Sequence, residues 1–380
     1  MTPPISKRSI PTIIIIVVLV SAAALVIYQT ALYKLELNNP IYSCISSDSK
    51  LPKFMERVAF IKPVFTMTPY YWQLHLQGRS FYEFYARHLT MKYNESIRLN
   101  SSDLALLNSK VTDKWSPTGY NLEYPLYEFL QTTARQCGLT VDTLTDVDVD
   151  NGSLFSSGIP NFDVIVLGHE EYLTAREYSQ FKQFVSVGGR IVAVAGNTFW
   201  GQVNYSRSTN TETFVAGHGF AFNGTTAWRT NYAPFDKESA NWFGSTFAGR
   251  GNGVVSNPTT IKVLGANETN GIGWNMSKIF GDSIFSTYNY GHNEINSIVN
   301  FTATQVIVRM EVTIYLDGNI YTSNSSLKVT VPVSSYVHQY RRGQVYCLGI
   351  YGENLLWNND LSGEFFILEA ITSGFKSEKT

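Results

Sequence analysis

Phe162-Asp163-Val164-Ile165-Val166-Leu167-Gly168-His169-Glu170-Glu171-Tyr172 is the stretch on which the fold turns. Val164 to Leu167 form an unbroken apolar run of strand length. A strand with one wet face alternates; a continuous apolar run marks a strand covered on both faces, as in parallel sheets packed under helices. Residues 174–187 then read as a helix with Thr174 as its N-cap, because a threonine hydroxyl accepts from the first free N–H groups. Gly188-Gly189 stops that helix, and 190–195 is a second buried strand. Upstream, 58–64 and 139–144 read as strands, 123–137 as a helix ended by Gly138, and 145–157 as a loop. Strand and helix alternating over short links predict an α/β domain on a parallel sheet.

Away from this centre the pattern changes. Residues 80–93 have Phe81, Phe84, Tyr85 and Leu89 at helical spacing, an amphipathic core helix rather than a ligand box. Residues 201–300 are rich in Gly, Asn and Thr and read as a loop-rich insertion. Strands follow at 260–264, 304–315, 319–322, 326–333 and 344–351, with Tyr340-Arg341-Arg342-Gly343 as a hairpin turn, and 360–374 closes the chain as a helix.

The chemistry gathers where the central strand ends. Ligands of open α/β sheets bind beyond the carboxyl ends of the strands. His169, Glu170, Glu171 and Tyr172 at such an end can ligate a metal or exchange protons, with His169 and Glu171 as the catalytic candidates. The same residues also allow a plain reading, in which Glu170 and Glu171 cap the next helix and His169 and Tyr172 make ordinary hydrogen bonds. Asn197 and Trp200, after the second buried strand, are candidate ligand-binding residues. Asp146, Asp148 and Asp150 resemble the start of a calcium loop, but its glycine and distal glutamate are out of register, so they read as a solvated turn. There is no Gly-x-Ser-x-Gly elbow, phosphate-binding loop or His-Glu-x-x-His pair, and no cysteine at a strand-to-helix turn. Cys44, Cys137 and Cys347 fit no zinc spacing and read as buried thiols.

The segments Thr143-Leu144-Thr145-Asp146-Val147-Asp148, Phe162 to Tyr172, Gly188-Gly189-Arg190 and Ala195-Gly196-Asn197-Thr198-Phe199-Trp200 resemble the C-terminal domain of the N,N-dimethylformamidase large (beta) subunit. Gly343 to Gly352, with Asn354 and Trp357, is similar to the last strand and turn of the same domain. The resemblance implies a flavodoxin-like, class I glutamine amidotransferase-like parallel sheet sandwich, here with β-rich insertions. It also implies mononuclear iron held by two tyrosinates and a glutamate. Tyr172 matches the tyrosine of the family's His-Pro-Glu-Tyr-Trp type of motif, with Glu170 in place of Pro and Leu173 in place of Trp. Tyr120, with Tyr124 as runner-up, stands for the second tyrosine, and Glu294 of His292-Asn293-Glu294 for the glutamate.

The amino terminus adds an address. Residues 12–33 carry no charge and have the length of one membrane span, while Lys7 and Arg8 precede them. The pattern predicts residues 1–11 in the cytosol, a span at 12–33, a stalk at 34–57 and an extracellular domain at 58–375, all in a single-pass protein of the cell membrane; a cleaved signal peptide is the alternative reading, and either way the body is exported. Asn-x-Ser/Thr sequons at Asn94, Asn100, Asn151, Asn204, Asn223, Asn267, Asn275, Asn300 and Asn324 all follow the span and predict a glycosylated surface. Only 16% of the 380 residues are charged, and 29 Lys+Arg against 30 Asp+Glu leave a net charge of -1. That balance excludes a general nucleic-acid binder. Two functions follow from the sequence. The first is a non-catalytic surface protein binding a glycan or an envelope protein, as the altered motif suggests. The second is an iron-dependent hydrolase of amide C–N bonds.

Overall fold

A computed structural model describes residues 57–70, 96–98, 124–134, 139–199, 201–217, 236–252, 260–286, 292–298, 300–317 and 326–373. The expected span at 12–33, the stalk up to residue 56, the helix at 80–93 and the strand at 319–322 lie outside the described residues, as do Tyr120, Trp200, Cys44, Cys137, Asn94, Asn100, Asn223 and Asn324. Among the described residues no helix is long and apolar enough to cross a membrane.

Mixed α/β architecture is built on one eight-stranded sheet. Its parallel half contains β1 (Arg57–Lys62), β3 (Thr140–Thr145), β6 (Val164–Leu167), β8 (Arg190–Ala193) and β16 (Gly343–Cys347), in the spatial order β3-β1-β6-β8-β16. β1 pairs in parallel with both β3 and β6, and β8 with both β6 and β16. Numbered along the chain, these five strands run 2-1-3-4-5, the flavodoxin-like order, whose switch point lies between the first and third strands. The sheet continues antiparallel through β15 (Ser326–Tyr340), β14 (Thr304–Asp317) and β12 (Thr260–Ala266).

Both faces of the parallel half are covered, which explains the unbroken apolar runs. On one face, Ala59, Ile61, Ile165, Leu167, Ile191, Ala193, Val345 and Cys347 share a core with Phe181, Phe184 and Val185 of α4 (Ala175–Ser186) and Val149 of α3 (Asp146–Asn151). Strand alternation sends Val58, Phe60, Val164, Val166 and Val192 to the other face, and all are buried. There the Phe60 ring meets Tyr127 of α2 (Tyr124–Phe129), with ring centroids 6.1 Å apart. The Arg190 guanidinium donates to Ile371 O at 2.5 Å in the closing helix α7 (Leu361–Thr372).

α4 begins and ends as its sequence dictates. Thr174 and Glu177 form a reciprocal capping box. Gly188, at φ 118°, donates to Val185 O, and Gly189 donates to Phe184 O at 2.9 Å, which closes a Schellman turn that only a glycine enters without strain.

Two expectations are corrected. The loop at 145–157 contains α3, which Thr145 and Asp148 cap reciprocally and Gly152 stops, and then the small pair β4 (Phe155–Ser156) and β5 (Ile159–Pro160). The insertion at 201–300 holds regular structure as well as loops. β9 (Gly201–Ser206) and β10 (Thr211–Gly217) join β7 (Tyr172–Thr174) and β2 (Ser96–Arg98) in a second sheet. α5 (Asp236–Trp242), the pair β11 (Ser245–Asn252) and β13 (His292–Ile298), and α6 (Gly271–Phe280) follow. Asn and Gly enrichment hid these strands, although Val203, Tyr205, Thr211, Thr213 and Phe214 are strand formers. β15 runs on to Tyr340, seven residues beyond the strand expected at 326–333.

Gly343 starts β16 where a Cβ would meet Val185 O at 2.1 Å and Gly189 O at 2.3 Å. Both are backbone atoms of the α4–β8 turn and have nowhere to go. Gly343→Ala is expected to lower the unfolding free energy by about 1–3 kcal/mol or more, read from urea denaturation. An unchanged midpoint refutes the close approach.

Candidate active site

Residues 168–171 leave β6 at the switch point and are held by backbone bonds on both flanks. Thr66 in α1 (Val64–Tyr70), just beyond β1, accepts from Glu171 N at 3.0 Å and Tyr172 N at 2.8 Å. From the β8 side, Phe199 N donates to Glu170 O at 2.8 Å and Gly201 N to Glu171 O at 2.7 Å. Tyr172 is fully buried at the start of β7, and its ring lies so close to Gly201 that a Cβ there would stand 2.3 Å from it.

The four-residue motif divides its side chains between two groups. Glu170 joins Asp146 and Glu177, whose carboxylate oxygens lie within 4.8 Å of one another, all buried. Asp146 opens α3 directly after β3 and accepts Phe65 N at 2.6 Å. Glu177 comes from the first turn of α4, and fully buried Glu212 of β10 faces Thr68 and Asp146. Burial, then the charges of Asp146 and Glu170, push the Glu177 carboxyl well above the usual carboxylate range. Burial also raises Glu212 strongly, opposed by Thr68 and reinforced by Asp146. The sign follows. Raised acids keep their protons in the folded chain and release them near 4.5 once it unfolds. Their contribution is therefore complete below that pH and is lost as pH rises toward their folded values.

His169 and Glu171 form the second group. His169 Nε2 stands 3.4 Å from Glu171 Oε2, with both side chains buried, and the imidazole packs edge-on against Tyr351 at 5.6 Å between centroids. A buried histidine beside a carboxylate is a pairing of the kind that general acid–base chemistry uses. Asn197, on the segment that follows β8, is fully buried, and among the described residues neither its Oδ1 nor its Nδ2 has a hydrogen-bond partner. Buried polar groups are ordinarily satisfied, so this amide is a candidate donor and acceptor for a bound group.

The sequence-derived residues divide accordingly. His169, Glu171, Tyr172 and Asn197 all stand beyond the carboxyl ends of neighbouring strands. The helix-cap reading of Glu170 and Glu171 is overturned: β7 intervenes, and Thr174 with Glu177 makes the cap. The solvated-turn reading of the aspartates also fails. Asp146 and Asp150 are buried, Asp148 caps α3, and Asp150 accepts Thr174 Oγ1 at 2.6 Å and pairs with Arg207 at 3.3 Å. The Cys347 thiol is buried, as expected, and burial raises its pKa.

For the iron donors that the resemblance implies, Tyr172 has the enclosed position a ligand needs. Glu294 lies on β13, two residues from Asn296, whose N–H donates to Gly349 O beyond β16, so its backbone reaches the same end of the sheet. Burial and Glu128 raise the Tyr124 hydroxyl above its ordinary value, and Tyr120 lies outside the described residues. Thr66, Thr68, Glu177 and Glu212 were not among the sequence-derived residues. Thr174-x-x-Glu177 was legible as a capping box, but no local pattern tells that its glutamate is buried among other acids. An open groove of about 530 Å³ lined by Tyr178, Lys182, Glu238, Tyr340 and Arg341 lies at the opposite, amino-terminal end of β16. Lys182 and Tyr178 are both engaged with Glu238 there.

No curated protein matches the chain. Among solved structures, a GH42 β-galactosidase from G. stearothermophilus is 11% identical with a TM-score of 0.35, covering 77% of this chain and 27% of its own. A β-galactosidase from Rahnella sp. R3 is 12% identical at 0.37, covering 83% and 31%. A ThuA-like protein from Bacteroides uniformis is 11% identical at 0.41, covering 85% and 92%. The chain thus spans about a quarter to a third of these β-galactosidases, and likenesses this distant carry no weight for function. The family described as N,N-dimethylformamidase beta subunit-like, C-terminal, matches residues 38–345. Matched over most of its length, and with the His-Glu-Glu-Tyr segment buried at the switch point of its sheet, the chain belongs to that family.

Proposed function

We propose that this protein is a membrane-anchored, glycosylated, extracellular hydrolase of amide C–N bonds. Its reaction centre would lie beyond the carboxyl ends of β1, β6 and β8. The observation that carries the reading is the buried His169–Glu171 pair, 3.4 Å apart, on the segment that also bears Tyr172. His169 carries the proton that the departing amine requires, and Glu171 holds the imidazole in place. Asn197 donates to the amide oxygen. Tyr172, Tyr120 and Glu294 would hold iron, which when bound polarises a carbonyl and acidifies a water.

The rival reading, a non-catalytic surface protein that binds a glycan or an envelope protein, rests on the two departures from the family motif. Their surroundings weaken it. Leu173 is fully buried in the hydrophobic core, where Trp to Leu is a change of packing. Glu170 adds a carboxyl to the group around Asp146 and removes nothing from the His169–Glu171 pair.

The full chain, purified after growth with iron, is expected to contain one iron per chain, to absorb visible light through tyrosinate charge transfer, and to release amine from small N-substituted amides. Tyr172→Phe should lose the colour, and His169→Gln should keep it while lowering kcat by about 10²- to 10⁴-fold. Colourless, metal-poor protein without amide turnover sinks the hydrolase in favour of the binding protein.

For the extracellular address, Asn151 and Asn204 are exposed, whereas Asn267 is partly buried with its amide donating to Val306 O at 2.9 Å. Glycopeptide mass spectrometry on protein from the native host should find glycans at Asn151 and Asn204 and none at Asn267. Unmodified Asn151 and Asn204 argue against the outer-face location.

A further inference from the structure

We infer that Asp146, Glu170, Glu177 and Glu212 form a calcium site separate from the reaction centre. The first three present carboxylate oxygens within 4.8 Å of one another, from the start of α3, the β6–β7 segment and the first turn of α4. Glu212 arrives independently from the second sheet. It is fully buried beside Thr68 and Asp146, and among the described residues neither of its oxygens has a partner in hydrogen-bond geometry. Its neighbour Thr68 already donates its hydroxyl proton to Val64 O at 2.9 Å. Glu177 Oε1 likewise has none among those residues. The groups facing Glu177 are Asp146, Glu170 and the Thr174 N–H, and those facing Glu212 are Thr68 and Asp146. Among the described residues, no basic side chain is found to balance either carboxyl.

Donor chemistry selects the ion. All four side chains offer hard oxygens and none offers nitrogen or sulfur, which disfavours zinc and copper and leaves calcium, magnesium or manganese. Magnesium keeps several waters and is seldom held by an all-protein cage, whereas calcium takes six to eight oxygens and accepts bidentate carboxylates. Three carboxylates binding through both oxygens supply six donors inside an enclosed site. The site does not depend on the hydrolase reading, since it uses none of the iron donors, His169 or Asn197.

The test uses the full chain in detergent after chelator treatment, with calcium and terbium as probes. Calcium is expected to bind at one ion per chain and to raise the thermal midpoint by roughly 5–10 °C at a hundredfold excess over Kd. Terbium should give tyrosine-sensitised emission that calcium displaces. Glu177→Gln and Glu212→Gln should each weaken calcium binding about tenfold or more, while the chelated variants melt no lower than the chelated parent, because a neutral amide replaces a crowded carboxyl. No saturable calcium or terbium signal from the parent chain overturns the site, whatever the variants do. So does a Glu212→Gln midpoint that rises equally with and without calcium, since the cluster is then held by protons. Iron content and amide turnover, measured on the same samples, report the hydrolase separately, so either reading can fail alone.

Discussion

A carboxyl group sealed from water must hold a proton, accept a hydrogen bond or share a cation, because an isolated buried charge is too costly to keep. Asp146, Glu170, Glu177 and Glu212 all meet that constraint at the carboxyl-terminal end of the parallel sheet. They arrive from three strand ends and one helix, so the connections that bring them together also define the site. Asp146 uses the Phe65 N–H, and Glu177 also serves as the capping partner of Thr174. Mutual repulsion opposes assembly, and the packed core beneath holds it. The aromatic group of Phe181, Phe199, Trp242 and Phe243 lies against the same α4 that carries Glu177.

Thr66 is the smallest part with the widest reach. One hydroxyl accepts two consecutive backbone N–H groups, at 3.0 and 2.8 Å, and thereby fixes the extended run through Glu171 and Tyr172. Before that run the chain turns at His169, where Glu170 N donates to Gly168 O at 2.9 Å. Glu170 then lies with the other acids, and His169 lies beside Glu171. A four-residue motif thus serves two centres, one anionic and one suited to moving protons.

Much of the fold was legible from residues 162–200 because buried parallel strands and helix caps are local signals. The runs at Val164–Leu167 and Arg190–Ala193, the Thr174 cap and the Gly188-Gly189 stop all stand where their sequences indicate. The second sheet was not legible, since β9 and β10 are short, polar on one side and set among Asn and Gly. Within the site, His169, Glu171, Tyr172 and Asn197 were found because they follow strand ends directly. Glu212 was not, because its importance comes from a sheet pairing that brings β10 over α1. Asp146 was misread for a related reason: Asp-x-Asp-x-Asp has the composition of a solvated turn, and only the contact with Phe65 shows that the first aspartate points inward.

The proposed address and the inferred ion support each other by concentration. Extracellular calcium modules function with affinities of about 10⁻⁴–10⁻³ M, far weaker than intracellular sensors require. A cluster in which Glu177 and Glu212 resist ionisation loses affinity to proton competition, since ligands must be deprotonated to bind metal. Such a site would stay empty at cytosolic calcium levels and fill outside. If residues 12–33 span the membrane with the domain beyond, the acids that destabilise the chain during synthesis become ligands once it is displayed. The fold would then reach full stability only on the side of the membrane where the hydrolase is proposed to act.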